Sequence, residues 1–256
     1  QNIKSVGIRV DFNVPIDETF KVTDDTRLLR AIDTIKFIKE KKCKILLISH
    51  FGRPKDNFDL KYSFQNLIEQ FSKILNEKIN LISYESFLQK GLANFKQSNE
   101  NIFLLDNIRF FKGEKTNDLT FSKNITDHLD LYINEAFSAS HRSHASVNQM
   151  AKNIQSLPGF NFEKEIIAIN EIKNSSKRKL AIIGGSKVST KINTLLSLTK
   201  SCSNIFIGGA MANNFLKFRD IPVGDSLVEE GSEKMIKEIY NLANKFSCEI
   251  HLPLDV

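Results

Sequence analysis

Short apolar runs rich in β-branched residues alternate with amphipathic stretches along all 256 residues, and this alternation limits the folds open to the chain. Strand-like runs are Ser5–Val10, Lys44–Ser49, Asn101–Leu105, Leu131–Asn134, Leu180–Ile183, Asn204–Ile207 and Glu249–Leu252, with a weaker one at Ile79–Ile82. Several are apolar on consecutive rather than alternate residues, the pattern of strands buried on both faces of a parallel sheet. Helical stripes fill the gaps. After Thr23, read as an N-cap followed by Asp24 and Asp25, residues Leu28, Ala31, Ile32, Ile35 and Ile38 share a face. Further stripes are Phe64, Leu67, Ile68, Phe71 and Leu75; Ile192, Leu195, Leu196 and Leu198; and Met235, Ile236, Ile239, Leu242 and Phe246. Strand, helix, strand, helix predicts an α/β fold with right-handed crossovers. Leu157-Pro158-Gly159 interrupts a helical stretch with about five strands before it and three after, which predicts two units, 1–157 and 158–256.

Composition excludes several classes. With 41% apolar and 26% charged residues the chain is that of a globular protein, and no apolar run approaches the roughly 20 residues of a membrane span. Three cysteines (Cys43, Cys202, Cys248) without a CxxC argue against a disulfide framework or a zinc site and fit a reducing cytoplasm. The opening QNIKSVGIRV has no signal-peptide apolar region and no initiator Met, so further N-terminal sequence is expected. The excess of 36 Lys and Arg over 30 Asp and Glu gives +6, spread along the chain. No basic run is interleaved with stacking aromatics and no helix-turn-helix or RRM signature is present, so a nucleic-acid partner is not expected.

Ligands of open α/β sheets bind at the carboxyl ends of the strands. Asp11 and Asn13 follow the first run, His50, Gly52 and Arg53 the second, Arg109 the run ending at Leu105, and His141, Arg142 and His144 the run ending at Asn134. Arg27 opens the first helix. Arginine forks match phosphate and carboxylate oxygens, so this repetition predicts a pocket for a small, multiply charged phosphorylated anion. His144 is read as structural, and no HExxH-type spacing points to a His-bound metal. In the second unit, Leu180–Ile183 runs into Gly184-Gly185-Ser186-Lys187 and then Val188-Ser189-Thr190-Lys191. Glycines admit a phosphate, a helix N-terminus offers free N–H groups, and lysines four apart share a helical face, which together read as a polyphosphate cradle. The stretch is neither GxxxxGK[ST] nor GxGxxG. Gly208-Gly209 after the next strand offers a flat backbone surface for a base or ribose.

The stretches RVDFNVP (9–15), TDDTRLLRAIDTIKF (23–37), ISHFGRPK (48–55), LLDNIRF (104–110), NEAFSASHRSHAS (134–146), IIGGSKVSTKI (182–192), IGGAMANNFLK (207–217) and LPLDV (252–256) together resemble the phosphoglycerate kinase family over essentially the whole chain. The resemblance implies two Rossmann-like parallel-sheet domains, the second incomplete, with hinge closure between a phosphoglycerate-binding N-terminal domain and a nucleotide-binding C-terminal one. It implies reversible phosphoryl transfer between 1,3-bisphosphoglycerate and ADP, giving 3-phosphoglycerate and ATP, in a monomeric cytoplasmic enzyme of glycolysis. By position, it assigns the phosphoglycerate to Asp11, Asn13, Arg27, His50, Arg53, Arg109 and Arg142. It assigns nucleotide binding to Gly185, Ser186, Lys187, Lys191, Gly208 and Gly209, with Arg27 and Lys187 stabilising the transferring phosphoryl. Mg2+ accompanies ATP or ADP, and its ligand is expected in sequence beyond Val256, so this chain alone is expected to be inactive. The departures are Asp106 where the family usually has Glu, Ser138 and Ser140 in place of Gly and Ala, Ser186 in place of Ala, and Ala210 in place of Gly.

Overall fold

A computed structural model describes residues 3–55 and 57–254. The LPLDV stretch ends on Asp255 and Val256, outside the described residues. The chain divides between Ile169 and Asn170 into two compact units.

The first unit carries six parallel strands: β1 (Ser5–Arg9), β2 (Lys44–Ile48), β3 (Asn80–Ile82), β4 (Ile102–Leu105), β5 (Leu131–Asn134) and β6 (Ser156–Pro158). Their order is β3-β4-β2-β1-β5-β6, and every pairing is parallel. Consecutive apolar residues are needed because both faces are covered. Val6, Ile8, Ile45, Leu47, Ile102, Leu104, Leu131 and Ile133 enter one core, with Leu28, Ile35 and Phe71 from the helices. The alternate residues Leu46, Ile48, Phe103, Leu105 and Tyr132 enter a second core on the opposite face, with Phe87, Phe95 and Ile125. Period two along each strand produces this division. Gly7 belongs to the second face, and there a Cβ would lie 2.6 Å from Leu129 Cδ1 and 2.9 Å from the Tyr132 ring.

The first stripe splits into helices Thr26–Arg30 and Ile32–Glu40, with Leu28, Ala31, Ile35 and Ile38 buried. Its cap differs from expectation. The helix begins at Thr26, whose N–H donates to Asp24 Oδ1 (2.8 Å), so Asp24 rather than Thr23 satisfies that backbone donor.

Strand β6 was not expected. It is three residues long, contains Pro158, and lies at the sheet edge, where a missing N–H is tolerated. Helix Phe160–Asn174 starts two residues later, and the division between units falls inside it. The Pro-Gly pair therefore marks a strand-to-helix turn. Glu135 fixes that turn: its carboxylate accepts from the Asn161 N–H (3.1 Å), the Phe162 N–H (3.1 Å) and Thr34 Oγ1 (2.7 Å), satisfying free donors of the helix N-terminus.

The second unit has three parallel strands in the order β7 (Leu180–Gly184), β8 (Asn204–Gly208), β9 (Glu249–His251). Helices Ile192–Ser201, Ala210–Phe218 and Glu233–Lys245 share one core with alternate strand residues, including Ile205 and Ile207. The opposite residues Leu180, Ile182 and Phe206 are exposed, so the burial on both faces expected for Leu180–Ile183 is not seen; Ile182 is 77% accessible. Among the described residues, no helix is long and apolar enough to cross a membrane.

Candidate functional site

Strand order in the first unit reverses at β1, which lies between β2 and β5, and the polar residues collect at the carboxyl ends of these strands. Immediately after β1, Asp11 Oδ2 accepts from Arg27 Nη1 (2.7 Å) and from Ser138 Oγ (2.6 Å). One carboxylate thus ties the first helix and the segment after β5 to the end of β1. Ser138, one of the departures from the family pattern, supplies a hydrogen bond that glycine lacks.

The loop after β2 is held on two sides. Asn13 Oδ1 accepts from the Gly52 N–H (2.8 Å), and Arg109 Nη1 donates to the Gly52 carbonyl (2.5 Å). Gly52 needs to be glycine, since its φ is +57° and a Cβ would overlap the Tyr62 ring. Asn107 joins the loops after β2 and β4: its Oδ1 accepts from the N–H groups of Phe51 and Arg109 (both 3.1 Å), and its Nδ2 donates to the carbonyls of Phe51 (2.7 Å) and Tyr62 (3.0 Å). Asp106 is a buried clamp, accepting from Phe64 N–H (2.9 Å), Ser63 Oγ (2.9 Å) and Asn107 N–H (2.8 Å). Its burial raises the carboxyl pKa.

These loops bring Arg53, Arg109 and Arg142 together around an open pocket of about 340 Å³, with Pro54, Lys115 and His144. Asp11, Arg27 and Ser138 line a separate depression of about 130 Å³. His50 and Asn13 line neither. His50 is buried and receives an N–H from Arg9, while Asn13 spends its carboxamide oxygen on Gly52. Burial, then Arg142 and Arg9, pull Arg109 down to about 10, so it stays charged at neutral pH under repulsion from its neighbours.

Beneath the arginines lies a buried polar network that sequence reading did not single out. Arg9 Nε donates to Ser146 Oγ (2.9 Å), which in turn donates to Glu114 Oε1 (2.7 Å). Glu114 Oε2 accepts from the Ser146 N–H (2.8 Å), and His144 Nδ1 lies 3.5 Å from Oε1. Tyr132 donates to the Ser146 carbonyl (2.6 Å). Arg9 carried a signal, being a charge at the end of an otherwise apolar strand. Glu114, in KGEK, looks like a surface charge and carried none. His144 faces Glu114, and it also lines the pocket.

His50 gives this site a measurable pH dependence. Burial, then Arg9, Arg109, Arg142 and Arg27, lower its pKa from 6.5 to about 2. The unfolded chain binds a proton below pH 6.5 that the folded protein refuses, so this stability is present above 6.5 and lost as pH falls toward 2. A slope of about 1.4 kcal/mol per pH unit gives a loss of about 2 kcal/mol between about pH 7 and about pH 5. Denaturant unfolding of His50→Gln is expected to lack that much of the wild-type decline; parallel declines would show that His50 protonates freely in the folded state.

In the second unit, Lys187 and Lys191 do not share a helical face as expected. The helix begins at Ile192, with Lys191 at its N-cap, and residues 187–191 form a turn closed by Lys191 N–H to Val188 O (2.9 Å) and Thr190 Oγ1 to Lys187 O (3.0 Å). The Glu229 carboxylate accepts from the Ser189 N–H (3.1 Å) and from Ser189 Oγ, holding the turn open to solvent. Gly185, Ser186, Lys187 and Lys191 are all exposed there. Gly208-Gly209 and Gly184-Gly185 pack backbone to backbone: Met211 N–H donates to Gly185 O (2.7 Å), and a Cβ on Gly209, at φ +64°, would lie 3.2 Å from that oxygen. The structure therefore brings the glycine loops of β7 and β8 together at one end of the sheet.

The sequence model of the phosphoglycerate kinase family matches residues 2–256. The chain belongs to the phosphoglycerate kinase family. It is 40% identical over 256 residues to the phosphoglycerate kinase of Wolbachia sp. subsp. Drosophila simulans (strain wRi), and 41% identical over 259 residues to that of Prochlorococcus marinus (strain MIT 9515). Each alignment takes in 99% of this chain and 63% of the relative. The phosphoglycerate kinase structure from Coxiella burnetii superposes with a TM-score of 0.83 at 32% identity, covering 99% of this chain and 64% of that one. The enzyme from Pyrococcus horikoshii OT3, at 23% identity and a TM-score of 0.77, shows the same fold. The chain thus spans less than two thirds of the phosphoglycerate kinases it matches.

Proposed function

We propose that the protein carrying this chain transfers a phosphoryl group reversibly between 1,3-bisphosphoglycerate and ADP, yielding 3-phosphoglycerate and ATP. The observation that carries the reading is the gathering of Arg53, Arg109 and Arg142 about one pocket at the carboxyl edge of a parallel sheet, with Asp11 and Arg27 at the strand reversal of the same sheet. In this reading the first unit takes the phosphoglycerate. Asp11 and Asn13 meet its hydroxyl, His50 and the arginines its anionic oxygens, and Arg27 the transferring group. The second unit takes the nucleotide: Gly185, Ser186, Lys187 and Lys191 meet its phosphates, Gly208 and Gly209 border its base, and Lys187 shares the charge of the transferring phosphoryl.

The chemistry needs little else. A carboxylate is already a competent nucleophile at neutral pH, so no general base is required, and positioning with charge neutralisation dominates phosphoryl transfer. Closure about a hinge belongs to the reading because water would otherwise hydrolyse the acyl phosphate. Mg2+ would arrive with the nucleotide. Among the described residues no group of three or more His, Cys, Asp or Glu is placed to hold a metal ion, so no step is assigned to a metal held by them. The reading also includes a monomeric cytoplasmic enzyme without nucleic-acid or membrane partners.

Isothermal titration of 3-phosphoglycerate into the full-length protein is expected to show one site, and Arg142→Ala to lose at least tenfold in affinity, as removal of a charge-assisted contact costs about 1.5–3 kcal/mol. Equal binding by both proteins would overturn the site assignment. An acceptor screen with ATP separates this reaction from phosphorylation of another small carboxylate.

A further inference from the structure

Arg9 ends β1, and its side chain is almost wholly removed from water, at 2% accessibility. Every nitrogen of the guanidinium has a partner: Nε donates to Ser146 Oγ (2.9 Å), Nη1 to the Val10 carbonyl, and Nη2 faces His50 Nδ1 at 3.1 Å. The first two bonds leave the fork no freedom to turn away from the ring. Ser146 is itself held by Glu114 through both its N–H (2.8 Å) and its hydroxyl (2.7 Å).

An arginine has only donors and is never deprotonated in a protein. The nitrogen that faces it must therefore be an acceptor. Were His50 protonated on Nδ1, as the other tautomer or as the cation, two N–H groups would meet head-on in a buried site. We propose that Arg9 is a positioning residue: it fixes the His50 ring as the neutral tautomer with its proton on Nε2, so that the phosphoglycerate site holds one uncharged N–H donor among its arginines.

The charges packed about the ring act in the same direction. Arg9 on β1, Arg109 on the turn after β4, Arg142 on the segment after β5 and Arg27 on the first helix all disfavour an imidazolium, in addition to burial. An uncharged donor binds a substrate oxygen without taking up a proton. The arginines supply the charge, so His50 itself should take up no proton when the anion binds in the ordinary histidine range. This inference rests on the reading of His50 as a phosphoglycerate contact, and the experiment keeps the two apart.

Long-range 1H–15N correlation spectra of the full-length protein labelled at histidine read tautomer and charge directly, without ligand. His50 is expected to show a protonated Nε2 and a bare Nδ1, unchanged from about pH 5 to about pH 8. In Arg9→Lys, which keeps the positive charge but loses the fork, the ring is expected to mix tautomers. The KM for 3-phosphoglycerate is expected to rise about tenfold, the loss of one hydrogen-bonded contact, while kcat stays within about twofold; burial and the remaining arginines still keep the ring uncharged. A wild-type ring protonated on Nδ1, or titrating within that range, overturns the inference, as does an Arg9→Lys ring that keeps the wild-type spectrum. If Arg9→Lys does not fold, the wild-type spectrum alone decides. A fixed Nε2–H ring in a protein that binds no 3-phosphoglycerate would support the tautomer assignment and overturn the substrate reading instead.

Discussion

Arg109→Met is expected to weaken 3-phosphoglycerate binding by roughly 30-fold or more while leaving the free protein as stable as the wild type. Arg109 is the most buried arginine of the pocket, at 7% accessibility, and the loops after β2 and β4 fix it through Gly52 and Asn107. Burial and the charges of Arg142, Arg9 and Arg53 lower its pKa to about 10, so the protein maintains this cation at a cost in the absence of ligand. A bound anion removes that repulsion and gains a preorganised donor, which makes truncation of such a buried charged contact worth about 2–5 kcal/mol in binding. Methionine fills similar volume and tolerates irregular surroundings. Loss of the bond to Gly52 costs about 1 kcal/mol, and relief of the repulsion offsets it. Titration calorimetry beside denaturant unfolding tests both halves. A binding loss under threefold would remove Arg109 from the anion site, and a large loss of stability would make it structural.

Separating stability from binding in this way was only partly open to a reader of the sequence. The sheet of the first unit was legible because burial on both faces demands unbroken apolar runs, and Ile45–Ile48 or Ile102–Leu105 leave few alternatives. Arg53, Arg109 and Arg142 were legible because each follows such a run. Edge strand β6 was not, since three residues with a proline have no periodicity to read. The pairing of Lys187 with Lys191 failed because four-residue spacing implies a shared face only inside a helix, and the Glu229 carboxylate and the Val188–Lys191 turn keep that segment out of one. The layer under the arginines was hidden for another reason. Arg9, Glu114 and Ser146 come from three distant segments, and nothing local distinguishes a buried glutamate from a solvated one.

Glu114→Ala is expected to cost about 3–5 kcal/mol of stability in the first unit, the range for removing one partner from a buried charged network. Burial works against ionisation of Glu114, yet His144, Arg9 and Ser146 together hold its carboxyl below the usual carboxylate value. The anion is therefore what the surroundings are built to receive. Its removal leaves the Ser146 N–H and hydroxyl without their acceptor and takes a negative charge from beside Arg9 and Arg109. Glu114→Gln keeps the shape and one acceptor oxygen but not the charge. It is expected to recover part of the loss, and what remains measures the repulsion among the arginines that the carboxylate balances. If Ala and Gln cost the same, hydrogen bonding to Ser146 contributes little and charge accounts for the effect. If Gln matches the wild type, the charge is unimportant and the network is held by geometry alone. Added 3-phosphoglycerate should stabilise Glu114→Gln more than the wild type, because the ligand then supplies the negative charge that the chain has lost.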